Sequence, residues 1–182
     1  MFFASDLGAA PWDVFHEGLA ERIDLPVGLV IELIGLAIVL AWFPLGLRPG
    51  WGTLLNAIEI GLVVILVGDL LPTSDHLIPR LAYMFGGLLS IGIGSGIYIG
   101  VGLGTGPRDG LMLGLANDRI SVRLTRTLIE ATVLVAGIAL GGTAGVGTAL
   151  FAFGIGPVVQ FALPRLSMRP SPAAVAIQPA SA

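Results

Sequence analysis

"LGTGPRDGLMLGLA", from Leu103 to Ala116, sets a proline-gated Arg-Asp pair behind a run of glycines in an otherwise apolar chain. A near copy, "LGAAPWDVFHEGLA", runs from Leu7 to Ala20. Leu7, Gly8, Pro11, Asp13, Gly18, Leu19 and Ala20 stand in register with Leu103, Gly104, Pro107, Asp109, Gly114, Leu115 and Ala116. A second anchor follows each copy: "GWGTLLNAIEIG" from Gly50 and "GVGTALFAFGIG" from Gly145, sharing their glycines, a threonine and an alanine. Between the anchors, Glu32 and Glu130 fall together once a small insertion is allowed. Chance likeness between apolar segments does not reproduce ordered Pro, Asp, Gly and Thr positions, so the chain reads as an internal duplication.

Composition places both copies in a bilayer. The 182 residues are 55% hydrophobic and 12% charged, with a mean hydropathy of +0.94. An ordinary soluble domain carries about a quarter charged residues. All nine basic residues are arginines and there is no cysteine. A Walker lysine, a Schiff base, a thiol nucleophile, a thiolate metal site and a disulfide are therefore excluded. No Ser-His or paired-Asp arrangement stands at usable spacing, so an enzyme is not expected, nor a cofactor. His16 and His76 lack metal-ligand spacing and read as surface residues. Nothing points to a nucleic-acid partner.

A helix needs about 20 apolar residues to cross the hydrocarbon. Five windows qualify, near Val27 to Leu45, Gly52 to Leu71, Arg80 to Leu103, Leu124 to Gly142 and Gly145 to Leu163. Alternating loops then put Arg48, Arg108, Arg119, Arg123, Arg126, Arg165 and Arg169 on one side and only Arg22 and Arg80 on the other. Positively charged loops stay in the cytoplasm. The expected location is the inner (plasma) membrane, with the C-terminus cytoplasmic and the acidic N-terminal segment outside. The Pro- and Ser-rich residues 167–182 read as a disordered tail.

The fold class expected is an all-α polytopic bundle of five spans. Residues 80–166 form a complete unit of three spans with a short polar helix after the first; residues 1–79 repeat it without the leading helix. An odd number of spans, repeated in tandem, enters the membrane upside down the second time, as in many transporters. The missing leg is expected either upstream of Met1 or lost from a shortened member.

Proline suits the first turn of a short helix, so Pro11 with Trp12 and Pro107 with Arg108 mark motif turns. Asp13 and Asp109 stand two residues later, near the positive end, where a carboxylate accepts free N–H groups. One reading is a capping turn; the other is a re-entrant element lining a substrate or ion site. Gly92, Gly96, Gly100 and Gly104 recur every four residues and read as a helix-packing stripe. Glu32, Glu59 and Glu130 lie within spans, where a central charge costs on the order of 3 kcal/mol. For Glu32 and Glu130 an interfacial or paired role, with Arg126 one turn from Glu130, stands beside a functional one. Glu59, with no acidic counterpart in the repeat, is the leading candidate for a protonatable or cation-binding group meeting one of the turns. Trp12, Trp42 and Trp51 read as headgroup anchors.

The motif "GxGPxDxLxxGLA" (Gly104 to Ala116, with a near copy at Leu7 to Ala20), together with a hairpin carrying "RPGxGT" (Arg48 to Thr53), resembles the YczE/YyaS/YitT group of bacterial integral membrane proteins. The likeness covers Leu7 to about Leu166 and is most specific at "PWDVFHEGLA". It implies a multi-pass inner-membrane protein without a settled activity. Ala9 and Ala10 depart from the glycine usual before the proline. Two functions follow as expectations: a small transporter or channel for a small solute or ion, or a non-transporting partner docking another protein through its arginine-rich loop. Beyond the lipid bilayer and that solute, self-association into a homo-oligomer is compatible with either.

Overall fold

The structure is a computed structural model, and it describes residues 2–101, 103–116 and 120–166. Every regular element among them is a helix. A stub α1 (Phe2–Ser5) leads to α2 (Pro11–Ile23), α3 (Val27–Trp42), α4 (Trp51–Val67), α5 (Leu77–Val101), α6 (Pro107–Leu115), α7 (Val122–Leu140) and α8 (Val146–Leu166). Short 3-10 turns extend α3 through Phe43–Leu45 and α4 through Gly68–Leu70.

Local sequence explains the ends. Pro11 and Pro107 open α2 and α6, where a missing N–H costs nothing. Ser121 caps α7 by accepting the Leu124 N–H at 3.2 Å, and Gly141, at φ +110°, closes it. Asp24 takes the left-handed conformation that ends α2.

Among the described residues, three helical segments are long and apolar enough to cross a membrane: Val27–Leu45, Leu77–Val101 and Val146–Leu166. Helix α4 is apolar but shorter. Helix α7 holds Arg123, Arg126 and Glu130 in its first half, which separates it from the other long helices. Large apolar side chains face outward, among them Leu66, Val135 and Phe153 at 63%, 68% and 83% exposure. Such a surface suits lipid rather than water.

Helix α3 pairs with α4 and α5 with α8, while the short helices pack between these pairs: α2 along α7 and against α3, α6 along α3 and against α7. One core cluster joins Ala9 and Val14 to Met84, Leu88 and Ile155; another joins Trp12 to Ile38 and Trp42. Along the α5–α8 seam the glycine stripe removes bulk. A methyl group at Gly92 would sit 2.3 Å from Val158, and one at Gly96 2.8 Å from Ala162. Gly100 is buried on the same helix, and Gly104 lies beyond it in the turn before α6, at φ +121°.

The turns dock reciprocally. Gly147 N–H donates to Leu7 O at 2.7 Å, and Gly52 N–H donates to Leu103 O at 3.0 Å. These bonds join equivalent positions of the two sequence copies, each turn seated on the hairpin of the other copy. Gly8 (φ +100°) and Gly104 occupy matching left-handed sites, against Thr148 and Thr53 respectively. A side chain there would be strained and would strike its neighbour.

Two sequence expectations change on this fold. Trp12 and Trp42 are buried at 9% and 3% exposure instead of anchoring at the headgroups, because each fills space beside a short helix; Trp51 alone is exposed, at 78%. The stub α1 packs on α5, with Arg80 donating to Ser5 O at 2.8 Å and pairing with Asp6 at 3.1 Å. The tail 167–182 and Arg119 lie outside the described residues.

Candidate functional site

The turns at Gly8 and Gly104 aim α2 and α6 so that their first turns meet. Trp12 and Arg108, equivalent residues of the two copies, touch: the guanidinium carbon lies 5.2 Å from the indole centroid. A cation over an indole is worth about 0.5–2 kcal/mol, more as water is excluded. Arg108 Nη1 also stands 3.9 Å from Asp13 Oδ1. That same oxygen is 3.7 Å from His16 Nδ1, one turn along α2. Asp109 Oδ2 accepts the Tyr98 hydroxyl at 2.7 Å. Two carboxylates, a guanidinium, a phenol and an imidazole thus gather where the copies cross.

Neither helix start carries a side-chain cap on its N-cap residue. Asp13 turns toward His16 and Arg108, and Asp109 toward Tyr98, which goes beyond what a capping turn requires. His16 is fully buried, and neither ring nitrogen has a hydrogen-bond partner; the Trp12 indole N–H is likewise buried without one. Burial holds the His16 imidazole below its ordinary range, with Asp13 pulling it up and Arg108 pushing it down. Burial also lowers Arg108 from its usual value, opposed by Asp13, then Asp109 and Tyr98.

Beside this cluster, α6 rests on α3 and α4. Trp42 Nε1 donates to Pro107 O at 3.1 Å, and Thr53 Oγ1 donates to Thr105 O at 2.6 Å. Gly110 lies flat on the Trp42 ring, where a methyl group would come within 1.9 Å. A cavity of about 230 Å³ opens here, lined by Arg48, Thr53, Thr105 and Trp42 among others. Gly106 brings backbone close to the Asn56 amide oxygen and the Tyr98 hydroxyl, at 3.1 and 3.3 Å from a would-be methyl. Polar groups therefore run from the cavity wall toward Asp109.

The candidates from sequence divide. Asp13, Asp109, Trp12 and Arg108 come together, framed by Pro11 and Pro107. Glu59 does not join them: it lies on the exposed face of α4, and Thr53 and Asn56 are the α4 residues that reach the second turn. Its expected meeting with a turn is not seen: Thr53 and Asn56 stand nearer the N-terminal end of α4, where the turn docks, whereas Glu59 lies further along the helix and is exposed. Glu32 lies against Gly61 of α4, and Glu130 pairs with Arg126 at 2.9 Å. His16, read as a surface residue, is instead fully buried, and Tyr98 went unremarked. A signal for His16 was present, because it lies one turn from Asp13 on a short helix that carries the repeat motif.

With this geometry in view, the comparisons are specific. The sequence matches the family of unknown function DUF6198 across residues 1–164. The chain belongs to that family. It is 41% identical over 160 residues to an uncharacterized protein of Haemophilus influenzae, covering 87% of this chain and 73% of the relative. The uncharacterized membrane protein YczE of Bacillus subtilis is 36% identical over 163 residues, covering 87% and 75%. The uncharacterized protein YyaS of Bacillus subtilis is 32% identical over 155 residues, covering 80% and 75%. No solved structure matches. A helical membrane protein of the YczE kind is the identity that sequence and fold support together.

Proposed function

We propose that this family member is a small inverted-repeat transporter or channel, passing a small solute or ion along the crossing of α2 and α6. The carrying observation is the half-buried contact there: Asp13 and Trp12 of the first copy meet Arg108 of the second, with Asp109 and Tyr98 beside them. Ionisable groups inside a membrane bundle are expensive and mark pathways. Paired broken segments at corresponding positions of two halves are where transporters bind their cargo.

The reciprocal seating of each turn on the opposite hairpin supports the inverted arrangement. In that arrangement α4 and α7 complete five spans, with the C-terminus in the cytoplasm of an inner-membrane protein. The candidate path runs from the cavity at Thr53 and Thr105 to Asp109, Arg108 and Asp13. Glu59 is outside it.

The chain's lack of cysteine makes the test clean. Single substitutions Asp13→Cys, Thr105→Cys and Asp109→Cys, in protein reconstituted in liposomes, are treated with a small cationic methanethiosulfonate. Met84→Cys and Ile38→Cys, in the apolar cores, serve as buried controls. The transporter reading expects modification of all three polar positions and of neither control. Unreactive polar positions in folded protein would reject the path and favour a solid bundle that docks a partner through its arginine-rich face.

A further inference from the structure

Asp13 turns the same carboxylate oxygen toward two partners. Its Oδ1 lies 3.7 Å from His16 Nδ1 and 3.9 Å from Arg108 Nη1, too far for a settled hydrogen bond with either. His16 has no solvent exposure and no partner on either ring nitrogen. Leaving an imidazole buried and unpaired is costly unless it gains something in another state. With His16 neutral, the half-buried cluster holds two carboxylates and one guanidinium, an excess of one carboxylate. One proton on His16 cancels that excess.

We infer that His16 and Asp13 form a proton-binding site, in which protonation of His16 draws Asp13 from Arg108 and loosens the link between α2 and α6. The step is balanced: one proton arrives from water on a ring nitrogen, no covalent bond breaks, and Asp13 changes its ion-pair partner. Because Asp13 and Arg108 belong to opposite copies, the proton acts on one of the contacts between the two halves. This deepens the transporter reading by making its cargo path proton-linked; the proton site itself stands on geometry independent of transport.

The surroundings leave few rivals. On α2 the neighbouring acid Glu17 is engaged with the Thr143 N–H at 2.6 Å. On α7, which packs along α2, Arg126 and Glu130 pair with each other at 2.9 Å, and residues 131–140 carry no titratable side chain. On α3 the one acid, Glu32, packs on Gly61 of α4. On α6, Asp109 is held by Tyr98 of α5, and Arg80 of α5 is held by Asp6. Helix α8 contributes only Arg165, exposed beside Phe161.

Only two histidines occur, so histidine-labelled protein gives two ring signals. The full chain in lipid nanodiscs is followed by nitrogen NMR from pH 8 to pH 4, with His76→Gln assigning the signals. Exposed His76 provides the internal reference. The expected result is a His16 midpoint below that of His76, shifted further down by Asp13→Asn and up by Arg108→Gln. Coincident midpoints, or a His16 that never protonates, would overturn the inference. So would a midpoint indifferent to both substitutions. Should Asp13→Asn fail to fold, Arg108→Gln carries the comparison alone, and an unmoved midpoint there overturns it too. Failure here with thiol modification intact would leave the path standing and remove only its proton.

Discussion

Single residues decide whether the two turns can form. Gly8 and Gly104 take φ values of +100° and +121°, and a methyl group at either would meet atoms of the opposite hairpin at 2.4 and 2.7 Å. Gly8→Ala and Gly104→Ala are each expected to cost about 1–3 kcal/mol, read as a lowered midpoint of thermal unfolding in detergent. His16 adds a pH dependence of known sign. Its folded-state pKa is depressed by burial, so the unfolded chain binds the proton better. Stability is full above the unfolded value of about 6.5 and falls as acid is added below it. In unfolding curves from pH 8 to pH 5, His16→Gln should flatten that decline; an unchanged slope would mean that His16 does not cause it. Glu59, exposed on α4, contributes nothing to the cluster. Glu59→Leu should leave thiol modification of Asp13→Cys unaltered, and a change would return Glu59 to the path. The placement of Asp13 and Arg108 in the first turns of short helices was legible at the level of the motif. The burial of His16 was not, because α2 packs along α7, about a hundred residues away in sequence.

At the scale of elements, the sequence foretold where helices begin and end better than what each one faces. Pro11, Pro107, Gly50 and Gly141 punctuate the chain through local backbone rules, and these positions end or open helices as read. Facing is a tertiary property. Trp42 looked like a headgroup anchor at a span end, yet it is buried because Gly110 of α6 offers a flat backbone to its ring. Helix α7 shows the limit of hydropathy: its second half is apolar enough for a bilayer, while its first half bears Arg123, Arg126 and Glu130. The Arg126–Glu130 pair is half exposed and worth only a few tenths of a kcal/mol. The Ser121 cap contributes more, so Ser121→Ala should lower stability by about 1 kcal/mol while Glu130→Gln barely moves it. Equal effects in unfolding experiments would mean that the ion pair has a larger role than its exposure allows.

For the whole molecule, the organising feature is exchange: each turn seats on the other copy's hairpin, and equivalent residues Trp12 and Arg108 close the crossing. The likeness of the two stretches was readable because Pro, Asp, Gly and Thr recur in order. The exchange was not, since the alignment of two copies says nothing about which copy each turn packs against. An inverted arrangement has a direct topological consequence, because the loops before the two hairpin anchors must lie on opposite sides of the membrane. Pro49 and Ala144 occupy equivalent places in those loops. In intact cells treated with a membrane-impermeant thiol reagent, the account expects Ala144→Cys to be labelled and Pro49→Cys to be protected until the membrane is permeabilised. Labelling of both from the same side would contradict it.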